Sequence, residues 1–394
     1  MYRAQRLSLI PPYLFGEISR LKAQALAEGR DLIDLGIGDP DQPTPAPIVE
    51  KMAEFIRDPS THPYDESPAG RVEFLEEAAT WFKARFGVEV DPKTEMLQLI
   101  GSKEGLAHIV WATIDPGDVA LVPDPAYTVV KVNTLLAGGT PHVFKLPAEN
   151  GFLPDLDKID SEAVKKAKII YLNYPNNPTG AVATLDFFKK AVDWATETNT
   201  LIVHDCAYSE VCFDGYRAPS ILQVDGAKNV AIEMHSLSKT FNMTGWRIGF
   251  AVGNPEAIRS LNTMKSNVDS KAFPAVALTA GWALNHADNS ASLELIKRRR
   301  DILVDGLNEL GWKIEKPKAT FYVWAPVPSG HTSVSLAKLL LEDAGVLAIP
   351  GLGYGPYGDN FVRMSLTVNG DKNGERIREA VNRIKTKLDI RWDQ

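Results

Sequence analysis

The sequence predicts an α/β fold in which a mostly parallel central sheet has helices on both faces and lies beside a smaller α+β segment. At 394 residues the chain exceeds the roughly 250 to 300 residues that one hydrophobic core usually serves. From about residue 95 to 253, short apolar runs alternate with helical patterns, which is typical of parallel strands joined by helices. After Asn285 the alternation ends and a long helical pattern begins.

Each strand of the predicted sheet is a short apolar run. In chain order these runs are 96–100, 119–122, 168–172, 201–203, 230–232 and 248–252. In the second segment we expect helices at about 289–310 and 333–344, strands at 321–324 and 361–364, and a terminal helix. These patterns divide the chain into an N-terminal arm with part of the small domain (1–44), a large ligand-binding domain (45–287) and a small C-terminal domain (288–394).

Composition and charge indicate an ordinary globular protein that does not bind nucleic acid. Hydrophobic residues make up 44% and charged residues 24% of the chain, and the net charge is -7. The basic run 297–300 lies in a helical pattern, so we expect a solvated helix face or a strip of salt bridges. The use of only two cysteines, and the lack of an apolar stretch near the ~18 residues of a membrane span, favour a cytoplasmic location. None of the seven histidines lies in a ligand pattern, so we expect no metal.

Polar side chains directly follow five of the apolar runs. They are Ser102 with Lys103, Asp124, Asn173, Asp205 and Ser236. Largely parallel sheets bind their ligands outside the carboxyl ends of the strands. The sequence therefore predicts a ligand site at this edge of the sheet.

Lys239 ends the tetrapeptide Ser236-Leu237-Ser238-Lys239, and Arg247 follows eight residues later. A lysine at the end of a buried strand is costly unless its charge is paired or its amine is used covalently. A Schiff base to a phosphorylated aldehyde fits the neighbouring hydroxyls and guanidinium, which would hold the phosphate. That aldehyde would be pyridoxal 5'-phosphate. For the tetrapeptide alone, a solvated turn lysine beside a capping serine is the alternative.

Asp205 ends the predicted strand that begins with 201–204 and precedes Tyr208 by three residues. A carboxylate here could keep the pyridine nitrogen of such a cofactor protonated, and a protonated ring is the better electron sink. Tyr208 and Asn177, in the proline-rich loop 173–180, could reach the ring oxygen. A helix cap at Asp205 and a plain turn at 173–180 are the alternatives. The segment 101–105 reads as a helix start with Ser102 as cap, able to bind phosphate.

These motifs together resemble one family. The Asn-Pro-Thr-Gly, Asp-x-x-Tyr and Ser-x-Ser-Lys motifs, with Arg247, match the fold-type I, class I/II pyridoxal-phosphate aminotransferases in identity, order and spacing over about residues 9–363. Segments 11–15, 35–41, 101–105 and 235–240 are most similar to the LL-diaminopimelate aminotransferase group. The resemblance implies a seven-stranded sheet of the PLP-transferase type and a homodimer with active sites at the subunit interface.

The resemblance also implies a role for each matching position. Lys239 would bind the cofactor aldehyde and shuttle the substrate proton, Asp205 would pair with the pyridine nitrogen, and Arg363 would bind the substrate α-carboxylate. Tyr208 and Asn177 would contact the ring oxygen, and Tyr127 would stack on the ring. The expected phosphate ligands are Ser102, Lys103, Ser236, Ser238 and Arg247, joined by Tyr64 of the partner subunit. Tyr13 and Gly38 would close over the substrate, which Lys103, Tyr127 and Asn177 would also contact.

The function expected from this resemblance is amino-group transfer between an L-amino acid and a 2-oxo acid, with LL-2,6-diaminopimelate and 2-oxoglutarate favoured. Aspartate or alanine aminotransferase is an alternative, and a pyridoxal-phosphate carbon–sulfur lyase is another. Two segments depart from the diaminopimelate group: 65–69, and 271–274 with Lys271 and Pro274 in place of the expected Gly and Gln. Both would approach the neighbouring subunit's site. Lys271 would either pair with a distal substrate carboxylate or lie exposed.

Overall fold

The structure is a computed structural model that describes residues 2–10 and 15–392. Its strands are β1 Ile33–Asp34, β2 Met96–Leu99, β3 Val119–Asp124, β4 Thr140–Lys145, β5 Ala167–Asn173, β6 Leu201–Asp205, β7 Ala231–Ser236, β8 Gly249–Gly253, β9 Tyr322–Pro326, β10 Val346–Leu347, β11 Ile349–Pro350 and β12 Phe361–Ser365.

The α-helices are α1 Phe15–Ala27, α2 Ala46–Phe55, α3 Val72–Phe86, α4 Ser102–Thr113, α5 Val129–Ala137, α6 Ser161–Val164, α7 Leu185–Thr198, α8 Ala227–Val230, α9 Leu237–Thr240, α10 Pro255–Val268, α11 Pro274–His286, α12 Ser290–Asn308, α13 Ser333–Glu342 and α14 Glu375–Lys387. Short 3-10 turns connect several of them. Within the described residues, no helix is both long and apolar enough to cross a membrane.

A seven-stranded sheet in the order β2-β8-β7-β6-β5-β3-β4 forms the centre of the molecule. All pairs are parallel except those of β8, which runs antiparallel to both β2 and β7. The predicted α/β class and largely parallel sheet are therefore confirmed. The edge strand β4 has no counterpart among the predicted runs, because only one of its six residues is buried and Pro141 interrupts the pattern.

Both faces of this sheet are covered by helices. On one face α4, α5 and α10 pack through Leu106, Val130 and Leu261. On the other face α3, α7 and α11 pack through Phe74, Phe188 and Ala280. Because alternate side chains of a strand point to opposite faces, burial on both sides explains why the strands read as continuous apolar runs.

A second hydrophobic cluster surrounds the three-stranded antiparallel sheet β11-β12-β9 and includes residues of α12, α13 and α14. The N-terminal strand β1 joins it by pairing with β10, with Ile33 opposite Val346. The N-terminal loop 35–41 that follows β1 is thereby carried from this region toward the carboxyl edge of the large sheet.

The basic run 297–300 differs from the expected solvated face. Arg299 and Arg300 of α12 are buried, and both are neutralised by carboxylates. Arg299 binds Asp41 at 2.8 Å, and Arg300 binds Asp214 at 2.6 Å. The expected salt bridges are present: the pair of Arg299 and Asp41 lies inside the protein and ties the loop 35–41 to α12, whereas Asp214, which also binds Lys297, is half-exposed.

Candidate active site

Four strand ends meet at the carboxyl edge of the large sheet. The register places Asn173 beside Asp205, and both Leu99 and Ser236 beside Gly249. Asn173, Asp205 and Ser236 are the last residues of their strands, as the sequence predicts. Asp124 of β3 differs, because one of its oxygens accepts the amide of Tyr357.

Lys239 lies in α9, one turn beyond β7, and its side chain is only 16% exposed. Its Nζ lies 2.8 Å from Asp39 Oδ1 and donates to the carbonyl of Gly38 at 3.2 Å. Burial alone would raise the pKa of Asp39, but Lys239 outweighs burial and the pKa is lowered. The lysine charge is therefore paired by a residue that the sequence analysis did not single out.

Asp205 is buried and has one carboxylate oxygen without a partner. Its Oδ2 accepts from the hydroxyl of Tyr171 at 3.3 Å. No group in the described part of the chain donates to Oδ1, which is fully enclosed. Burial raises the pKa of Asp205 to about 6. A buried acceptor of this kind fits a ligand that brings its own donor or positive charge.

The loop 173–180 is held rigidly beside Asp205 by its own amides. The Asn173 side chain donates to the backbone carbonyl of Asp205 at 2.8 Å and accepts from the backbone amide of Asn177 at 2.8 Å. Asn176 accepts from both the amide and the hydroxyl of Thr179. This network presents Asn177 at the sheet edge. Its side-chain oxygen accepts from Arg363, and its amide nitrogen forms no hydrogen bond within the described residues.

Arg363 of β12 is buried against this edge, at 5% exposure. Its guanidinium donates to Asn177 at 3.0 Å and to the carbonyl of Gly36 at 2.8 Å. The ring of Tyr322 lies 4.2 Å from the guanidinium carbon. Across the ranges 2–10 and 15–392, no carboxylate forms an ion pair with Arg363, and its buried Nε has no hydrogen-bond partner. A carboxylate ligand would satisfy both.

Tyr208 reaches the same space from the segment after β6. Its hydroxyl lies 2.9 Å from the hydroxyl of Tyr322, which in turn donates to the carbonyl of Gly38 at 3.0 Å. A Cβ on Gly38 would lie 2.5 Å from the Tyr322 hydroxyl, so this close approach requires glycine. Tyr322 was missed from the sequence because its partners come from segments more than a hundred residues away.

Several expected phosphate ligands lie at the N-terminus of α4: Ser102 and Lys103 are in its first turn, and Arg247 lies against Gly101. Ser236 and Ser238 are buried, whereas Lys103 and Arg247 are exposed. Arg247 donates to the carbonyl of Ile100, and a Cβ on Gly101 would collide with its guanidinium. A free helix start beside hydroxyls and a guanidinium can hold a phosphate.

One detail of this helix start differs from the prediction. Gly101 with φ 102°, not Ser102, is the N-cap, and Ser102 is the first helical residue. The side chain that closes the turn is Glu104, which accepts the amide of Ile100 at 3.0 Å. The hydroxyl of Ser102 is therefore not used as the helix cap.

Three further residues are predicted for the site: Tyr127, Tyr13 and Tyr64. Tyr127 is half-buried just before α5, with its ring beside the cluster that covers one sheet face. Tyr13 lies outside the described residues. Tyr64 is 85% exposed and lines a separate cleft of about 500 Å³ together with Lys271.

In that cleft Lys271 is half-buried, and its Nζ donates to the backbone carbonyl of Asp65 at 2.9 Å. Of the two alternatives for Lys271, the exposed surface lysine therefore does not describe its position. The contact joins the two segments that depart from the diaminopimelate group.

Among the described residues, two groups of potential metal ligands lie beside the site. His204, Cys206 and Glu233 lie close together behind Asp205, and Glu104, His108 and Asp269 lie between α4 and α10. In the second group Lys265 binds Asp269 at 2.6 Å and supplies the positive charge. That the chain holds no metal stays a prediction.

A mostly parallel sheet whose carboxyl edge gathers a lysine, an unpaired buried carboxylate and a buried arginine defines an enzyme that acts on amino acids. The family model "Aminotransferase class I and II" matches residues 30–384, and the chain belongs to that family. It is therefore an enzyme that transaminates.

Similar proteins extend over almost the whole chain. An LL-diaminopimelate aminotransferase from Desulforudis audaxviator is 52% identical over 384 residues, covering 97% of each chain. One of the same name from Syntrophobacter fumaroxidans is 52% identical and covers 97% of this chain and 98% of its own. Among solved structures, apo-BacF from Bacillus subtilis has a TM-score of 0.92 at 38% identity, covering 98% of this chain and 99% of that one. An aspartate aminotransferase from Thermotoga maritima has a TM-score of 0.89 at 29% identity, covering 97% and 99%.

Proposed function

We propose that this aminotransferase uses pyridoxal phosphate to move an amino group between LL-2,6-diaminopimelate and 2-oxoglutarate. The observation that carries the cofactor assignment is the unpartnered Oδ1 of buried Asp205, at the same sheet edge as Lys239. The substrate assignment is supported by the two relatives of 52% identity that are named for LL-diaminopimelate.

The residues at the sheet edge fit the cofactor that fold-type I aminotransferases use. The orphan oxygen of Asp205 suits a protonated pyridine nitrogen. The α4 N-terminus suits the phosphate, with Ser102, Lys103, Ser236, Ser238 and Arg247 as ligands. Lys239 would hold the aldehyde carbon covalently. When bound, the cofactor supplies an electron sink for the substrate Cα.

The remaining roles belong to the chain's own side chains. Arg363 would bind the substrate α-carboxylate through the in-plane N–H groups that Asn177 and Gly36 leave unused, Nε among them. Lys239, once released from Asp39, would carry the Cα proton. Tyr208 and the amide nitrogen of Asn177 would donate to the ring oxygen. Tyr127 would lie against the ring, and Gly38 and Tyr13 would cover the substrate.

The proposal includes a homodimer with shared active sites. Large apolar side chains are exposed at this cleft and near it: Tyr64 and Phe273 line it, Val268 precedes the lining residue Asp269, and Trp111 packs against His108, which contacts Asp269. Such a patch is typical of a protein–protein interface. A second copy seated there would carry Tyr64 of the partner subunit to the cofactor phosphate. We assign the enzyme to the cytoplasm, which two free cysteines favour.

The division into 1–44, 45–287 and 288–394 remains part of this proposal. It is supported by the separate clusters around the seven-stranded and three-stranded sheets. The second cluster also takes in Tyr208 and Phe213, so the two regions meet at the site.

A half-reaction screen tests the proposed substrates. The cofactor-loaded enzyme is mixed with LL-diaminopimelate, meso-diaminopimelate, aspartate or alanine, and loss of the cofactor absorption band is followed. The expected result is loss of the band at the lowest concentration with LL-diaminopimelate, and recovery with 2-oxoglutarate. Preference for aspartate or alanine would replace the substrate assignment. Release of pyruvate and ammonia without an oxo acid would indicate the lyase.

A further inference from the structure

We infer that Tyr322 is a positioning residue that competes with the cofactor for the hydroxyl hydrogen of Tyr208, and so couples the loop 35–41 to the basicity of the cofactor linkage at Lys239. The inference rests on the proposed function, because it takes Tyr208 as the donor to the cofactor ring oxygen. Tyr322 lies on β9 and is 2% exposed.

A count of hydrogens establishes the competition. Tyr322 has one hydroxyl hydrogen, and the carbonyl of Gly38 can only accept, so that hydrogen is used in the 3.0 Å bond to Gly38. The hydrogen in the 2.9 Å bond between the two hydroxyls must then come from Tyr208. As long as Gly38 keeps this position, Tyr208 donates to Tyr322 and has no second hydrogen for the cofactor.

The loop 35–41 determines which arrangement holds. Its Gly38 carbonyl also accepts from Lys239, its Gly36 carbonyl accepts from Arg363, and its Asp41 binds buried Arg299. If Gly38 moves away, the hydroxyl of Tyr322 can turn and donate to Tyr208. Tyr208 is then free to donate to the cofactor oxygen. Lys239 and Arg363, which would hold the cofactor and the substrate carboxylate, thus both contact the same loop.

The surrounding charges keep Tyr208 a donor. Burial raises the pKa of Tyr208 well above its usual value, and Tyr322 and Asp205 act in the same direction against Arg363. The charged group facing Lys239 is Asp39, on which Arg363 and Arg247 also act. None of these groups is changed when the Tyr322 hydroxyl alone is removed.

The test is Tyr322→Phe, which keeps the ring over Arg363 and deletes only the hydroxyl. The absorption band of the bound cofactor is titrated with pH in the variant and in the wild type. With its competitor gone, Tyr208 donates fully to the ring oxygen and stabilises the deprotonated linkage. The titration midpoint is expected to fall by about 0.5 to 1 pH unit.

Two further variants make the result specific. Tyr216→Phe removes a hydroxyl that donates to the carbonyl of Ala183 away from the site, and no shift is expected. Tyr208→Phe should not lower the midpoint, and the double variant with Tyr322→Phe should match Tyr208→Phe alone. An unchanged or raised midpoint in Tyr322→Phe would overturn the inference. A wild type with no cofactor band would instead remove the proposed function.

Discussion

The Nζ of Lys239 lies 2.8 Å from the carboxylate of Asp39, a residue two hundred positions earlier in the chain. The pair joins the loop 35–41 to the strand end that holds the proposed cofactor lysine. Asp39 itself is 69% exposed on its side chain, so water reaches the ion pair. The amine must leave this carboxylate before it can react with an aldehyde, because only a neutral amine is a nucleophile.

Replacing Asp39 by Asn is therefore expected to speed cofactor loading. Without the carboxylate there is no ion pair to break before the amine reacts, and a partly exposed pair of this kind contributes about 0.2 to 1 kcal/mol. Uptake of pyridoxal phosphate by the apo protein, followed by absorbance at pH 7, should quicken by about 1.5- to 5-fold. Asp39→Glu, which keeps the charge, is the control. Equal rates in Asn and Glu variants would contradict the expected role.

Asp205→Asn should stabilise the apo protein while weakening cofactor binding. The pKa of Asp205 is raised to about 6, so the folded state holds a proton that the unfolded state has lost. The free energy of unfolding therefore falls as pH rises from about 4 to 6. Above pH 6 the total loss is about 1 to 3 kcal/mol.

Urea unfolding of apo Asp205→Asn should therefore show a gain over wild type at pH 7.5 that disappears near pH 4. Equilibrium dialysis should show weaker binding of pyridoxal phosphate. A variant that loses stability at pH 7.5 and keeps full cofactor affinity would refute the assignment of the orphan oxygen.

Arg363→Ala should weaken the binding of every amino acid substrate to a similar extent. Removal of one partner of a buried charge pair costs about 2 to 5 kcal/mol. The apparent affinity for diaminopimelate, aspartate and alanine in the half-reaction should fall together. Arg363→Lys should recover little, because lysine cannot form the two-pronged contact. An effect on only one substrate would instead indicate that Arg363 contacts the substrate side chain and not the α-carboxylate.

Glu233→Gln should destabilise the protein through the core behind Asp205. Burial alone would raise the pKa of Glu233, but hydrogen bonds from His204 at 2.8 Å and His235 at 2.6 Å outweigh it, and the pKa is lowered. The carboxylate therefore stabilises the fold at neutral pH, and this stabilisation is lost in acid.

Breaking a buried charged network costs about 3 to 5 kcal/mol. Denaturant unfolding at pH 7 should show a loss of this size, which should persist to about pH 5 and shrink only at lower pH, where the carboxyl of the unfolded chain is protonated. Lys297→Gln, at a half-exposed surface pair with Asp214, is the control and should change little. If Glu233→Gln lowers the free energy of unfolding no more than Lys297→Gln does, the stabilising role of the Glu233 carboxylate is contradicted.

Sequence patterns predicted the strands and the site edge because both depend on local order. Asn173, Asp205 and Ser236 end buried strands, and a parallel sheet brings such ends together. The predicted run 230–232 misses the second half of β7, because that half contains the polar residues Glu233 and His235. Their mutual hydrogen bond allows them to lie in a core strand. Asp39 and Tyr322 could not be inferred, because their partners are set by how the loop 35–41 and β9 fold onto the large sheet.

The most direct measurement concerns the covalent bond itself. The enzyme is incubated with pyridoxal phosphate, reduced with borohydride, digested and analysed by mass spectrometry. We expect the reduced pyridoxyl phosphate group on Lys239 and not on exposed Lys103. A wild-type protein that carries no such group, or carries it only on other lysines, would contradict the account.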